Sequence, residues 1–292
     1  MYIYERNLSD APTPPKPTLA DELKKYIKEK GSSEVEKRIE EERVNLGRTV
    51  VLIAENHSAE TRSVDLARRL MKNDVFRFVA SEYFLNAGEF RIEVRNFLRG
   101  LRKSLGGLLC PYGTLLSDLK SKPKYILFFG SRANRLDDRD RRMARHFVEE
   151  IADRKLNKAT PGVLICGITH GSRVADVGQE RTMRVRLEDA GFKILGARLA
   201  TDDIDRGSIK IGKPKRTDKV WPVGETQTDS NAMHLVDLVT STSEYTLVLT
   251  KGSPFERVTD DENDVGSSSL SMAQRYELVI IAKKMARPCP RS

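Results

Sequence analysis

The sequence is poor in cysteine, in histidine and in long apolar runs. Its 292 residues include three cysteines and four histidines. The number of cysteines is odd and their spacing does not suit a metal site; they are Cys110, Cys166 and Cys289. This argues against a disulfide framework and for a reducing compartment. No apolar run reaches the roughly 18 residues of a membrane-spanning helix, and no signal-peptide core is present. We therefore expect no membrane span, and a protein that stays in the cytoplasm or leaves by a leaderless route.

Charge, in contrast, is abundant. Lys and Arg number 51 and Asp and Glu 42, which gives a formal net charge of +9. A basic excess can serve nucleic-acid binding, but here the basic residues are interspersed with acidic ones and no nucleic-acid motif accompanies them. We therefore expect a small-molecule or peptide substrate rather than a nucleic acid, and we leave open a homo-oligomer.

Strand and helix signals alternate from residue 49 onward. Apolar runs predict strands at residues 49–54, 76–84, 125–129, 163–168, 194–200 and 245–250, and amphipathic stretches predict helices at 89–101, 139–156, 181–190 and 271–286. Such alternation is typical of an α/β fold with a mostly parallel central sheet flanked by helices. Residues 105–119 are expected to form a helical insert, and residues 202–242 a long excursion with a hairpin around 208–223.

The N-terminal part has a different character. Residues 1–17 contain four prolines and predict an extended arm. Thr18 is then expected to cap a helix that stops at Gly31, and residues 33–46 form a second, very charged helical stretch. We therefore divide the chain into an arm with a helical extension, residues 1–46, and a single α/β domain, residues 47–292.

Ionisable side chains follow three of the predicted strands. Glu55 and His57 come directly after the first strand, Glu82 closes the second, and His170 follows the fourth. Ligands of open α/β sheets bind beyond the carboxyl ends of the strands, so these four residues are the candidate catalytic groups of one cleft. The candidates for substrate contacts are Glu60, Arg62, Tyr83, Arg139, Asp140 and Arg173.

These motifs resemble those of a known superfamily. The ENH at residues 55–57 and the GITH at 167–170 resemble the paired GExH and GxxH signatures of the superfamily that joins erythromycin esterases, ChaN-like haem-binding proteins and Tiki/TraB proteins. The RDRRMA at 139–144 and the SEYTLVLTKGSPF at 243–255 resemble its second-histidine helix and its closing strand. The resemblance spans residues 49–254. The chain departs from the usual pattern at Ala54, at Ser58 and in GITH, which stands where GNAH is more usual.

The resemblance implies a bacterial hydrolase of the esterase-like or metal-dependent protease-like kind. In this interpretation His57 or His170 acts as general base on a water, and Glu55 or Glu82 orients the imidazole. Positive groups stabilise an oxyanion or hold an acidic part of the substrate, and the candidates for this role are Arg62, Arg139 and Arg173. Cys166 lies within an apolar run and is expected to be a core residue rather than a nucleophile.

Two alternatives use the same residues. Two histidines and two glutamates suit a divalent metal, although we assign no residue as a metal ligand. The ChaN-like members of the superfamily imply instead a binding protein without catalysis. Its haem iron would be held by a histidine or by one of Tyr83, Tyr112 and Met143.

Overall fold

A seven-stranded sheet forms the centre of the computed structural model. The structure describes residues 17–55, 60–82, 124–131, 133, 135–175, 179–201, 219–222, 233–240, 242–259 and 270–283. The strands are β1 Val50–Glu55, β2 Phe78–Ser81, β3 Tyr125–Phe128, β4 Gly162–Gly167, β5 Ile194–Thr201, β6 Lys219–Pro222, β7 Met233–His234, β8 Tyr245–Leu249, β9 Val258–Thr259 and β10 Leu278–Ala282. The α-helices are α1 Leu19–Lys30, α2 Val35–Asn45, α3 Glu60–Leu70, α4 Leu136–Asp153, α5 Ile168–Gly171, α6 Met183–Asp189 and α7 Met272–Arg275.

The central sheet is mostly parallel, as predicted. Its strand order is β3-β2-β4-β1-β5-β10-β8, and only β8 runs antiparallel to its neighbour. β1 lies between β4 and β5 and is buried over its whole length. Because β1 and β4 are parallel and in register, with Glu55 opposite Gly167, both strands end at the same edge of the sheet.

Helices cover both faces of this sheet. On one face Ile39 of α2 and Leu66 of α3 pack against Val51 and its neighbours. On the other face α4, α5 and α6 pack on the alternate residues of the same strands, and Phe147 contributes to that cluster. Alternation along a strand therefore decides which set of helices a side chain meets.

The two helices of the N-terminal extension have the predicted positions. Thr18 caps α1 through a reciprocal pair of hydrogen bonds with Asp21. Between α1 and α2, Ser32 makes an isolated antiparallel bridge to Leu247 of β8, with two backbone hydrogen bonds of 2.8 and 2.9 Å. The connection thereby pairs with the outer edge of β8, a position that otherwise invites edge-to-edge association.

The predicted last helix is wrong over most of its length. Of its described residues, 271–283, only Met272–Arg275 is helical, and Leu278–Ala282 forms β10 between β5 and β8. All five residues of β10 are buried, three of them β-branched, and each pairs with a neighbour on both sides. A short apolar run of this kind fits a buried strand as well as a helix, and here its pairing with β5 and β8 makes it a strand.

Other predictions fall outside the described residues. They concern the arm up to residue 16, the helix at 89–101, the helical insert at 105–119 and most of the hairpin at 208–223, of which only β6 is described. β6 lies in the middle of a small three-stranded sheet, between β7 and β9. Within the described ranges no helix has the length and hydrophobicity needed to span a bilayer.

Candidate functional site

His170 lies in the one-turn helix α5, which follows β4 without a linker. The hydroxyl group of Tyr276 donates a hydrogen bond of 2.7 Å to the carbonyl oxygen of Ile168 and so fixes the turn from strand to helix. At Gly171 a methyl group would press on the side chain of Ala54 in β1, so α5 approaches the sheet closely. This approach buries His170, whose exposed fraction is 2%.

The partner of His170 comes from α4. Asp140 lies on the face of α4 that packs on the sheet together with Met143 and Phe147, and its side chain is fully buried. Its Oδ1 atom lies 2.6 Å from Nδ1 of His170, although the two residues are 30 positions apart. Because a carboxylate only accepts, Nδ1 carries the proton and Nε2 is the basic nitrogen of the neutral ring.

Burial and charge act in opposite directions on His170. Burial lowers the pKa of the imidazole, whereas the hydrogen bond to Asp140 and the negative charges of Glu82 and Asp140 raise it. The positive charge of Arg139 lowers the pKa again, but the raising effects are larger. The pKa of His170 therefore lies above its ordinary value, and the surroundings stabilise the protonated ring.

Two predicted glutamates lie at the same edge of the sheet. Glu82 follows β2 directly, and its backbone N–H donates to the carbonyl oxygen of Ile165 in β4 at 3.2 Å. Glu55 is the last residue of β1 and is fully buried. The alternation of side chains along β1 places Glu55 on the face of the sheet that α3 covers. Glu82 instead acts on His170 through its negative charge. The structure thus brings Glu82 to the Asp140–His170 pair and leaves Glu55 at the same edge on the other face.

Cys166 is a core residue, which confirms the prediction. Its thiol is fully buried in the apolar cluster under α4. Burial, followed by the negative charges of Glu82, Asp140 and Glu55, raises the pKa of the thiol well above its usual range. A thiol held neutral in this way is a poor nucleophile.

Among the predicted arginines, Arg139 has an electrostatic effect on the Asp140–His170 pair. It precedes Asp140 in α4, is half-buried, and its Nε–H donates to the carbonyl oxygen of Ala133 at 3.2 Å. Its charge lowers the pKa of His170. The positive charge of Arg139 is therefore close enough to the imidazole to affect its proton affinity.

The other two predicted arginines have different surroundings. The guanidinium group of Arg62 is buried in α3, 5.8 Å from the ring centre of Tyr245, and so lies on the face opposite to His170. Arg173 forms an ion pair with Glu277, the residue before β10. Neither contact joins these arginines to the Asp140–His170 pair.

Four predicted residues lie outside the described part of the site. His57 falls in the gap after β1, and Tyr83 and the candidate haem ligand Tyr112 fall in the gap after β2. Glu60 is the first residue of α3, but its side chain is not among those described. Their roles stay predictions from the sequence.

One contact of the site was not expected from the sequence. The side-chain amide of Gln179, in the segment before α6, donates to Oδ2 of Asp140 and to the carbonyl oxygen of Thr169 at 3.3 Å. Both oxygens of Asp140 are thus engaged, Oδ1 by His170 and Oδ2 by Gln179. Gln179 belongs to no motif and no predicted element, so the sequence contains no signal for it.

The described residues do not form a metal site by themselves. They include no group of three or more histidine, cysteine, aspartate or glutamate side chains that could hold a metal ion. The Asp140 oxygens and Nδ1 of His170 already bond to each other and to Gln179. Met143, which the sequence offered as a haem ligand, is buried in the apolar cluster under α4.

Comparisons with known proteins give little beyond this geometry. No family model and no curated protein matches the chain. A solved structure of ChaN of Campylobacter jejuni, described with cofacial heme binding, is similar over 59% of this chain and 87% of its own, with a TM-score of 0.35 and 15% identity. Similarity at this level says nothing about the function of this chain.

Proposed function

We propose that this chain is a hydrolase of ester or amide bonds, peptide bonds included, in which His170 transfers protons and Asp140 orients it. One observation supports the proposal above all others. A buried carboxylate lies 2.6 Å from the Nδ1 atom of a buried histidine that follows β4 of the central sheet directly. In α/β sheets this edge is where ligands bind, and an imidazole held by a carboxylate is a common acid–base pair of hydrolases.

The roles follow from the tautomer. Asp140 keeps the proton of the neutral ring on Nδ1, so Nε2 takes a proton from the water that attacks the carbonyl carbon. The resulting imidazolium is stabilised by the charges of Asp140 and Glu82. It then returns its proton to the leaving alcohol or amine, and the reaction ends with the neutral ring and a carboxylic acid product.

The half-buried Arg139 suits the negative charge of this reaction. Its Nε–H is engaged by Ala133 and its charge reaches His170. In the proposed mechanism the rest of its guanidinium group stabilises the oxyanion or holds an acidic group of the substrate. His57, Glu55, Tyr83, Glu60, Arg62 and Arg173 stay in the proposal as the further candidates from the sequence.

Hydrolysis by matched histidine variants tests the proposal. We expect the wild-type protein to hydrolyse members of a panel of activated esters and peptide amides, and His170→Gln to lower kcat/KM by on the order of a hundredfold or more. His146→Gln is the matched control, because His146 belongs to α4 but bonds through Nδ1 to the carbonyl oxygen of Gly130 at 3.3 Å instead of to Asp140. The control should keep full activity.

The same proteins separate hydrolysis from ligand binding. The family resemblance also implies haem binding, so each protein is titrated with haemin and followed by its Soret band. His57→Ala tests the other predicted histidine, with an expected stability change within about 1 kcal/mol. Stoichiometric uptake of haemin by a wild-type protein that hydrolyses no member of the panel would overturn the proposal in favour of a haem-binding protein.

A further inference from the structure

The segment that carries Gln179 is fastened to the start of α4. Oδ1 of Asp137 accepts hydrogen bonds from the backbone N–H groups of Glu180 and Arg181, at 3.0 and 3.3 Å. The same oxygen accepts from the guanidinium group of Arg186 in α6, at 2.7 Å. The chain just after Gln179 is therefore held against the helix that supplies Asp140.

Asp137 and Asp140 are one helical turn apart, so their side chains lie on the same side of α4. The first holds the backbone after Gln179, and the second accepts a hydrogen bond from the Gln179 amide. This arrangement gives the amide a fixed position, in contrast to a long polar side chain on an unsupported loop.

The Gln179 amide joins the two halves of the pair. It donates to Oδ2 of Asp140, on α4, and to the carbonyl oxygen of Thr169, the residue before His170. A buried carboxylate with only one partner could rotate and lengthen its bond to the imidazole. With Oδ1 on His170 and Oδ2 on Gln179, rotation would break both hydrogen bonds.

We propose that Gln179 is a positioning residue: its side-chain amide fixes the Asp140 carboxylate so that Asp140 holds His170 in the orientation needed for proton transfer. The catalytic consequence rests on the hydrolase function proposed above, but the positioning does not. Gln179 need not touch the substrate. Its loss should therefore lower kcat by on the order of tenfold, because small displacements of catalytic groups slow the reaction strongly. KM should stay nearly unchanged.

The test is a proton NMR measurement that needs no substrate. A short hydrogen bond from the Nδ1–H group to Asp140 gives a far-downfield imidazole resonance, assigned by its disappearance in His170→Gln. We expect this resonance to broaden or vanish in Gln179→Met and in Gln179→Ala. Gln274→Met is the matched control, because Gln274 makes its contact at the cap of α7, with the backbone N–H of Ser271 at 2.7 Å; it should leave the resonance unchanged.

The outcomes separate the two proposals. Loss of the resonance in a folded Gln179 variant supports the positioning role, even if the wild-type protein hydrolyses nothing. A resonance that stays sharp and unshifted in both Gln179 variants would overturn it, even if hydrolysis is found. Gln179 is half-buried in a segment outside the apolar clusters, so at least one of the two variants should fold.

Discussion

The Nδ1 atom of His170 lies 2.6 Å from Oδ1 of Asp140, and neither side chain has appreciable contact with solvent. The two residues reach this position from different elements, α5 after β4 and the start of α4. A buried imidazole would ordinarily lose its proton more easily, but here the carboxylate and the charge of Glu82 reverse that tendency. The pair therefore links the packing of α4 on the sheet directly to the proton affinity of the site.

The raised pKa of His170 predicts a pH dependence of stability. Because the folded protein binds this proton more tightly than the unfolded chain, the stabilisation is fully present below the unfolded pKa of about 6.5. It is lost as the pH rises through the higher folded pKa. We expect the free energy of unfolding of the wild-type protein to fall more steeply than that of His170→Gln as the pH rises from about 6.5 through the folded pKa, measured by urea unfolding across this range. Parallel pH profiles would contradict the raised pKa.

Asp137 should protect two particular amides. In Asp137→Ala the backbone N–H groups of Glu180 and Arg181 lose their acceptor. Their hydrogen exchange should therefore accelerate by on the order of tenfold, the factor that corresponds to the free energy of a hydrogen bond to a charged group. Asp153→Ala, at the exposed far end of the same helix, is the control and should leave both amides protected.

The contact between Asp137 and the segment before α6 should weaken at acid pH. Burial raises the pKa of Asp137, but the hydrogen bonds from Glu180, Arg181 and Arg186 lower it by more, so the folded pKa lies below the ordinary value. Its stabilisation is present above the unfolded pKa of about 3.9 and is lost as the pH falls through the folded pKa. If the amides of Glu180 and Arg181 exchange equally fast in the wild-type protein and in Asp137→Ala near neutral pH, Asp137 does not hold this segment.

Gly196 should be intolerant of any side chain. A methyl group there would overlap the guanidinium group of Arg184, which is fully buried and bonds both carboxylate oxygens of Glu277 at 2.9 Å. Displacing a buried ion pair costs about 3 kcal/mol or more, and we expect Gly196→Ala to lose that much unfolding free energy in urea.

Gly47→Ala is the comparison for this substitution. Its φ of +59° strains any side chain, but no atom lies within 4 Å of the added methyl group. The cost should be about 1 kcal/mol, from the backbone alone. Equal losses in the two variants would mean that Arg184 moves aside without harm.

The sequence predicts those parts of this protein that depend on local patterns. The apolar runs of β1 and β4 mark strands buried on both faces, and Thr18 marks the start of α1. The parallel strands, in register, then bring Glu82 and His170 to one edge of the sheet. β10 was missed because five apolar residues have no period that separates strand from helix.

The relation between Asp140 and His170 is of another kind. Asp140 was recognised as a candidate substrate contact, but its bond to His170 depends on how α4 docks on the sheet. Gln179 depends in addition on a segment that Asp137 fastens in place. Neither relation leaves a local pattern, so only the structure shows that Asp140 is bonded to the imidazole. From the sequence, Glu55 or Glu82 is the carboxylate expected to orient it.

The most direct test of the proposed hydrolase is the activity of Asp140→Asn. The substitution keeps the shape of the side chain and removes the charge that holds the proton on Nδ1 of His170. With a far-ultraviolet circular dichroism spectrum like that of the wild-type protein, we predict that kcat/KM for the best ester or amide of the panel falls by on the order of a hundredfold or more. A folded Asp140→Asn protein that hydrolyses the substrate at the wild-type rate would contradict the proposed role of the Asp140–His170 pair in hydrolysis.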